Sequence, residues 1–85
     1  MFDDIKKVQE LKRLQDSFKQ ERETAQKKGI SVTVNGAMEM ERITLNPALD
    51  QREAEVVLAQ CINEANKNIQ KRLAKMMLGS GLGGF

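Results

Sequence analysis

Lys67, Lys71 and Lys75 recur every fourth residue, Arg72 lies among them, and no acidic residue follows to the C-terminus. On a helix this spacing stacks the three ammonium groups into a ladder along one side. A row of fixed cations suits one kind of chemistry, the tracking of a phosphate backbone. A second set, Lys6, Arg13 and Lys27, falls at heptad-related intervals with Gln20 between them. Glu10 interrupts that stripe and Ser17 adds nothing to it, so its field is the weaker of the two. No aromatic residue is interleaved with the cations, which disfavours stacking on single-stranded bases. The plainer alternative for both sets is a solvated helix face.

Catalysis is hard to build from this composition. Histidine, tyrosine and tryptophan are absent, which removes the commonest general acid–base group. The single cysteine, Cys61, falls on an apolar helix face with no base to activate it, and reads as a small core residue. One cysteine and scattered carboxylates make no metal-ligand spacing, and the C-terminal glycines neither follow a strand nor open a helix as a phosphate loop would. The expectation is a binding protein, not an enzyme, with no cofactor and no metal.

The elements that must carry the cations are organised around a hairpin. Ile30-Ser31-Val32-Thr33-Val34 and Met38 to Leu45 flank Asn35-Gly36, a strong short-range hairpin signal because both residues tolerate positive φ. A three-residue loop with Gly36 in the left-handed position pairs Val32 with Met38 and Ile30 with Met40, keeping apolar side chains on one face. Beyond Met40 the alternation fails, so either a bulge sits near Glu41-Arg42 or that strand has apolar contacts on both faces.

Before the hairpin, Met1 to Lys28 reads as one long helix. Asp3 or Asp4 caps it, Ile5, Val8, Leu11, Leu14 and Phe18 form a narrow stripe, and Gly29 ends it. After the hairpin, Asn46-Pro47 closes the strand and Asp50 with Glu53 forms a capping-box start. A second helix then runs from Gln51 to Met77 on the face Ala54, Leu58, Cys61, Ile62, Ala65, Ile69, Leu73 and Met76, widened by Val57. Residues 1–78 thus form one domain, and 79–85 a flexible glycine-rich tail in which Leu82 and Phe85 could hold a protein partner. Met38, Met40, Met76 and Met77 read as filler for an irregular core or contact.

The expected class is α/β (α+β), a helix–β-hairpin–helix protomer. A chain of 85 residues buries only about 60% of its unfolded surface, and a lone hairpin is marginal in water. A homodimer with joined sheets would remedy both. The net charge of +2 does not by itself announce a nucleic-acid binder. One cysteine excludes an internal disulfide, and no apolar run long enough for a membrane helix and no signal-peptide pattern occur. A cytoplasmic location follows as an expectation.

Val32-Thr33-Val34-Asn35-Gly36, then Ile43-Thr44-Leu45-Asn46-Pro47-Ala48-Leu49, then a helix carrying Ala65-Asn66-Lys67 together resemble the YbaB/EbfC family of nucleoid-associated proteins. The opening Met1-Phe2 and the methionine- and glycine-rich C-terminus fit it too. The resemblance implies a small α/β homodimer whose projecting helices form a tweezer-like body on double-stranded DNA in the nucleoid. It makes Lys6, Arg13, Lys27, Lys67, Lys71, Arg72 and Lys75 the phosphate contacts. The segment Gln26-Lys27-Lys28-Gly29 is shorter than the resemblance implies. The competing function is a protein-interaction module, a chaperone-like helical clamp or an adaptor in a DNA-repair complex.

Overall fold

The computed structural model describes residues 2–79, with side chains from residue 8 onward; Met1, Leu82 and Phe85 lie outside the described residues. The order is α1 (Phe2–Lys19), β1 (Arg22–Lys27), β2 (Ile30–Asn35), β3 (Met40–Thr44) and α2 (Gln51–Gly79). The helix–antiparallel sheet–helix plan of an α+β protomer is therefore present. The sheet has three strands in the order β1-β2-β3.

The third strand corrects the long first helix. Helix α1 stops at Lys19, and Arg22 to Lys27 pairs antiparallel with β2, Ala25 facing Val32 and Thr24 facing Thr33. Arg, Glu, Ala, Gln and Lys are all good helix formers, so local propensity favours continuing the helix. Pairing with the strongly β-prone β2 overrides it. The hydroxyls of Thr24 and Thr33 lie 2.8 Å apart across the two strands, a favourable cross-strand pair. Lys28 and Gly29 both take positive φ, 50° and 81°, as a two-residue type I′ hairpin demands. Gly29 therefore closes a hairpin and does not end a helix. The short Gln26–Gly29 segment is strand end and turn, not a linker. Because α1 begins at Phe2, Asp3 and Asp4 fall in its first turn and not ahead of it.

The β2–β3 hairpin is also present, in a different register. Val34 faces Met40 and Val32 faces Ile43, with a register shift between Thr33 and Val34. Met38 and Met40 are therefore not the partners of Val32 and Ile30. The loop is the expected three-residue type placed two residues later: Met38 N donates to Asn35 O at 2.9 Å, Asn35 N donates to Glu39 O at 3.0 Å, and Met38, not Gly36, has positive φ. Asn35 decides this placement. It is buried, and its Oδ1 accepts from Ala37 N at 2.9 Å and Glu39 N at 3.1 Å, an Asx turn. Gly36 is needed for a different reason. A Cβ there would lie 1.8 Å from the Phe18 carbonyl oxygen, and Gly36 N donates to Glu21 O at 3.0 Å. The hairpin turn thus docks on the root of α1. The unpaired residue that accounts for the register shift is Glu41, the bulge expected near Glu41-Arg42.

Helix α2 begins where expected. Asp50 Oδ1 accepts from Glu53 N at 2.8 Å, one half of a capping box. The Glu53 side chain turns away to Lys28 Nζ at 2.7 Å. Asn46 ties strand to helix: its Oδ1 accepts from Ala48 N at 3.0 Å and its Nδ2 donates to Lys28 O at 2.9 Å. The core lies between α2 and one face of the sheet. Ala25, Ile30, Val32 and Val34 meet Val57, Cys61, Ala65 and Ile69. Small residues on α2 let the helix come close, and the Cys61 thiol reaches Ile30 O at 3.7 Å. Strand β3 contributes no buried side chain, and α1 packs extensively on no other element. The result is elongated, 57 × 22 × 15 Å.

On the opposite sheet face Arg22 reaches across β2 to Glu41, its Nε and Nη2 donating to the two carboxylate oxygens. Asn35 Nδ2 also donates to Glu41 at 3.5 Å. The Arg22 guanidinium first, then Asn35, holds the Glu41 carboxyl below its ordinary pKa. A depressed carboxylate adds stability above its unfolded pKa, and the gain disappears as pH falls through the folded value. Between neutral pH and the carboxylate range, wild type should therefore be more stable than Glu41→Gln, with the two converging in acid. Urea midpoints measured from pH 7 downward check this, and parallel curves would refute it. Gly36→Ala should cost about 2 kcal/mol or more, the range for overpacking against backbone, and lower Tm. Gly79→Ala, with open space around the new methyl, should not destabilise the protein.

Candidate nucleic-acid interface

The ladder on α2 forms as the spacing requires. Lys67, Lys71 and Lys75 are all exposed on a helix whose buried positions are Val57, Cys61, Ala65 and Ile69. Lys67 and Lys71 each follow a core position by two residues, about 200° around a helix, so they stand on the solvent side. Four-residue steps place successive ammonium groups about 6 Å apart along the axis. The last buried residue is Ile69, with Leu73 half-buried beyond it. Lys71 and Lys75 therefore ride on the end of the helix that runs past the core.

Lys71 and Lys75 also line an open cleft of about 590 Å³ together with Asn68, Arg72, Met76, Glu21 and Glu23. The two glutamates come from the junction between α1 and β1, which places that junction directly opposite the basic end of α2. The cleft is mixed in charge, cations on the helix wall and carboxylates on the other. The acidic wall is not legible in the sequence, because Glu21 and Glu23 fall there within the expected Met1 to Lys28 helix.

The structure divides the other cations. Arg13 is exposed on α1, and Lys6 lies in the same helix with its side chain outside those described. Lys27 is not on α1 at all. It ends β1, and its Nζ donates to Gln60 Oε1 at 2.7 Å, tying the edge strand to α2. Arg72 is held within the molecule too, its Nε donating to Glu23 Oε1 at 2.9 Å and its Nη1 lying 3.7 Å from Glu21 Oε2. With Lys28 on Glu53, these contacts staple β1 along α2.

Apolar exposure is the second feature of the surface. Val32 faces Ile43 and Val34 faces Met40 across the ladder, so Ile43 and Met40 lie on the α2 side of the sheet, beyond the helix's cover. Ile43 is 45% exposed and Leu45 59%. On α1, Val8 and Leu11 are exposed as well. Strand β3 is a sheet edge carrying apolar side chains, whereas the β1 edge carries charge and side-chain ties to α2. Charged edges resist pairing with a further strand and apolar ones invite it.

Among the described residues there is no group of histidine, cysteine and carboxylate side chains that could hold a metal ion, and no helix is long and apolar enough to cross a membrane. Cys61 is buried. Compared with known proteins, residues 1–84 match the model of the YbaB/EbfC DNA-binding family. No curated protein matches the chain.

Proposed function

Because the chain belongs to the YbaB/EbfC DNA-binding family, we propose that it works as a homodimer that holds double-stranded DNA by its phosphate backbone, with weak or no sequence specificity, in nucleoid organisation or gene regulation. The observation that carries the reading is the exposed Lys67–Lys71–Lys75 ladder, whose last two members stand on the part of α2 that runs past the core. Lys6 and Arg13 on α1 supply further contacts. Phosphate contacts position a protein on a duplex and carry no base information, which accounts for the low specificity. The reading is one of binding without catalysis or cofactor, in the cytoplasm at the nucleoid.

The dimer is proposed from the free edge. Pairing β3 with its copy would join two three-stranded sheets, supply partners for the open backbone groups, and bring Met40, Ile43 and Leu45 against the partner. Exposed Val8 and Leu11 on α1 give a second strip for helix-on-helix contact. Exposed apolar residues on α1 are also what a protein-interaction module would use, but the family places DNA first among partners.

In a salt series with a labelled random duplex, charge reversal of Lys67, Lys71 and Lys75 should weaken binding sharply. It should flatten the slope of log K against log salt by up to about 2.7 for each protomer engaged on the duplex, three contacts at about 0.9 each, while circular dichroism stays unchanged. Undiminished binding would refute this assignment. Ile43→Arg should convert the dimer to a monomer in sedimentation equilibrium. A variant that stays dimeric would move the interface away from β3.

A further inference from the structure

Arg72 stands on α2 beside Leu73, the half-buried residue that continues the Val57, Cys61, Ala65 and Ile69 series. It follows buried Ile69 by three residues, on the side of Val57, Cys61 and Ala65. Glu23 precedes buried Ala25 by two residues and faces Val34 across the ladder, so it too points toward α2. At this end of the helix an ion pair thus flanks the apolar contact of Leu73, where the layers before it are apolar alone. Glu21 and Glu23 are less exposed than the arginine they hold, 32% and 25% against 44% for the side chains. Removing the guanidinium would leave two half-buried carboxylates unpaired, which favours keeping it in place. Arg72 Nε donates to Glu23 Oε1 at 2.9 Å, and Nη2 lies 2.9 Å from the same oxygen. With Nη1 near Glu21, one planar guanidinium meets both carboxylates from fixed directions, which a lysine ammonium cannot reproduce.

We propose that Arg72 is a positioning residue and not a phosphate contact: clamped by Glu23 and Glu21, it fixes the basic end of α2 relative to the root of α1. The inference rests on the DNA-binding reading of the α2 ladder and deepens it. Beyond Ile69 the helix has only half-buried Leu73 and Met76 to hold it. Glu21 accepts from Gly36 N through its carbonyl and meets Arg72 through its carboxylate. The same residue therefore joins the α1 root, the hairpin turn and α2. Lys71 and Lys75, flanking Arg72, inherit their placement from this junction.

The clamp predicts an effect opposite in sign to simple electrostatics. Glu21→Gln/Glu23→Gln removes two negative charges beside the ladder and frees Arg72. If Arg72 were a captive phosphate contact, this variant would bind a random duplex more tightly, with a salt slope steeper by about 0.9 for each protomer engaged. As a positioning clamp, its loss should weaken binding about fivefold, on the scale of one partly exposed ion pair, with the slope unchanged. Arg72→Lys, which keeps the charge but not the planar guanidinium, should weaken binding to a similar extent, again without a change in slope. Lys71→Ala, by contrast, should lower the slope by about 0.9 for each protomer engaged on the duplex.

All variants are measured as the full chain, with helix content and Tm recorded beside affinity. Tighter binding by the double glutamine variant, or full affinity in Arg72→Lys, overturns the proposal and leaves the ladder standing. If Lys71→Ala and charge reversal of the ladder change neither affinity nor slope, the DNA-binding reading of α2 falls and the clamp proposal falls with it.

Discussion

The packing of β2 on the small-residue face of α2 is the contact on which the other features depend. Ile30, Val32 and Val34 alternate inward and are fully buried, and Cys61 and Ala65 are small enough for the helix to reach the strand backbone. Burying each such branched side chain stabilises by about 1.5–3 kcal/mol before entropy is charged against it. This layer determines which side of every other strand faces in. Ala25 and Glu23 point toward α2 because they stand opposite Val32 and Val34. Ile43 and Met40 do so for the same reason, although the helix is too narrow to cover them. A protomer of this kind has one well-filled contact and one uncovered flank.

How far the sequence discloses this fold depends on whether an element is specified locally or by its neighbours. Helix α2 carries its own instructions: an unbroken apolar face, the Asp50 cap and Pro47 ahead of it. All of these stand in the structure where the residues place them. Strand β1 does not carry such instructions. Arg22-Glu23-Thr24-Ala25-Gln26-Lys27 contains one apolar residue and mostly helix formers, and only β2 makes a strand of it. The hint lay in Lys28-Gly29 immediately before an alternating run, a weaker turn signal than Asn-Gly. The strength of Asn35-Gly36 also misled about detail. The buried side chain of Asn35 and the close approach of Phe18 O to Gly36 put these residues to uses other than the positive φ that usually explains the pair.

The candidate site was legible in the same uneven way. The lysine ladder is a matter of helical spacing alone, and α2 is real, so Lys67, Lys71 and Lys75 stand exposed in line. Lys27 and Arg72 share the charge but not the circumstance. Each is held by a side chain more than thirty residues away in sequence, a pairing that exists only once β1 is folded against α2. Missing the strand therefore meant missing the acidic wall opposite the ladder.

The placement of acids around the ladder bears on how a protein of net charge +2 can hold a polyanion at all. Glu21 and Glu23 share Arg72, Glu53 pairs with Lys28, and Glu41 with Arg22. Each of these carboxylates has a cationic partner inside the sheet–helix unit, so those three cations are structural. The ladder stands exposed toward one end of an elongated molecule, facing Glu21 and Glu23 across the cleft, and a Debye length of about 8 Å at physiological salt screens it from charges farther along the chain. Screening then isolates the local field from the global balance, and a duplex brought to that end meets lysines before it meets the protein's average charge. Net charge is thus a poor guide here, and the arrangement of ion pairs a better one.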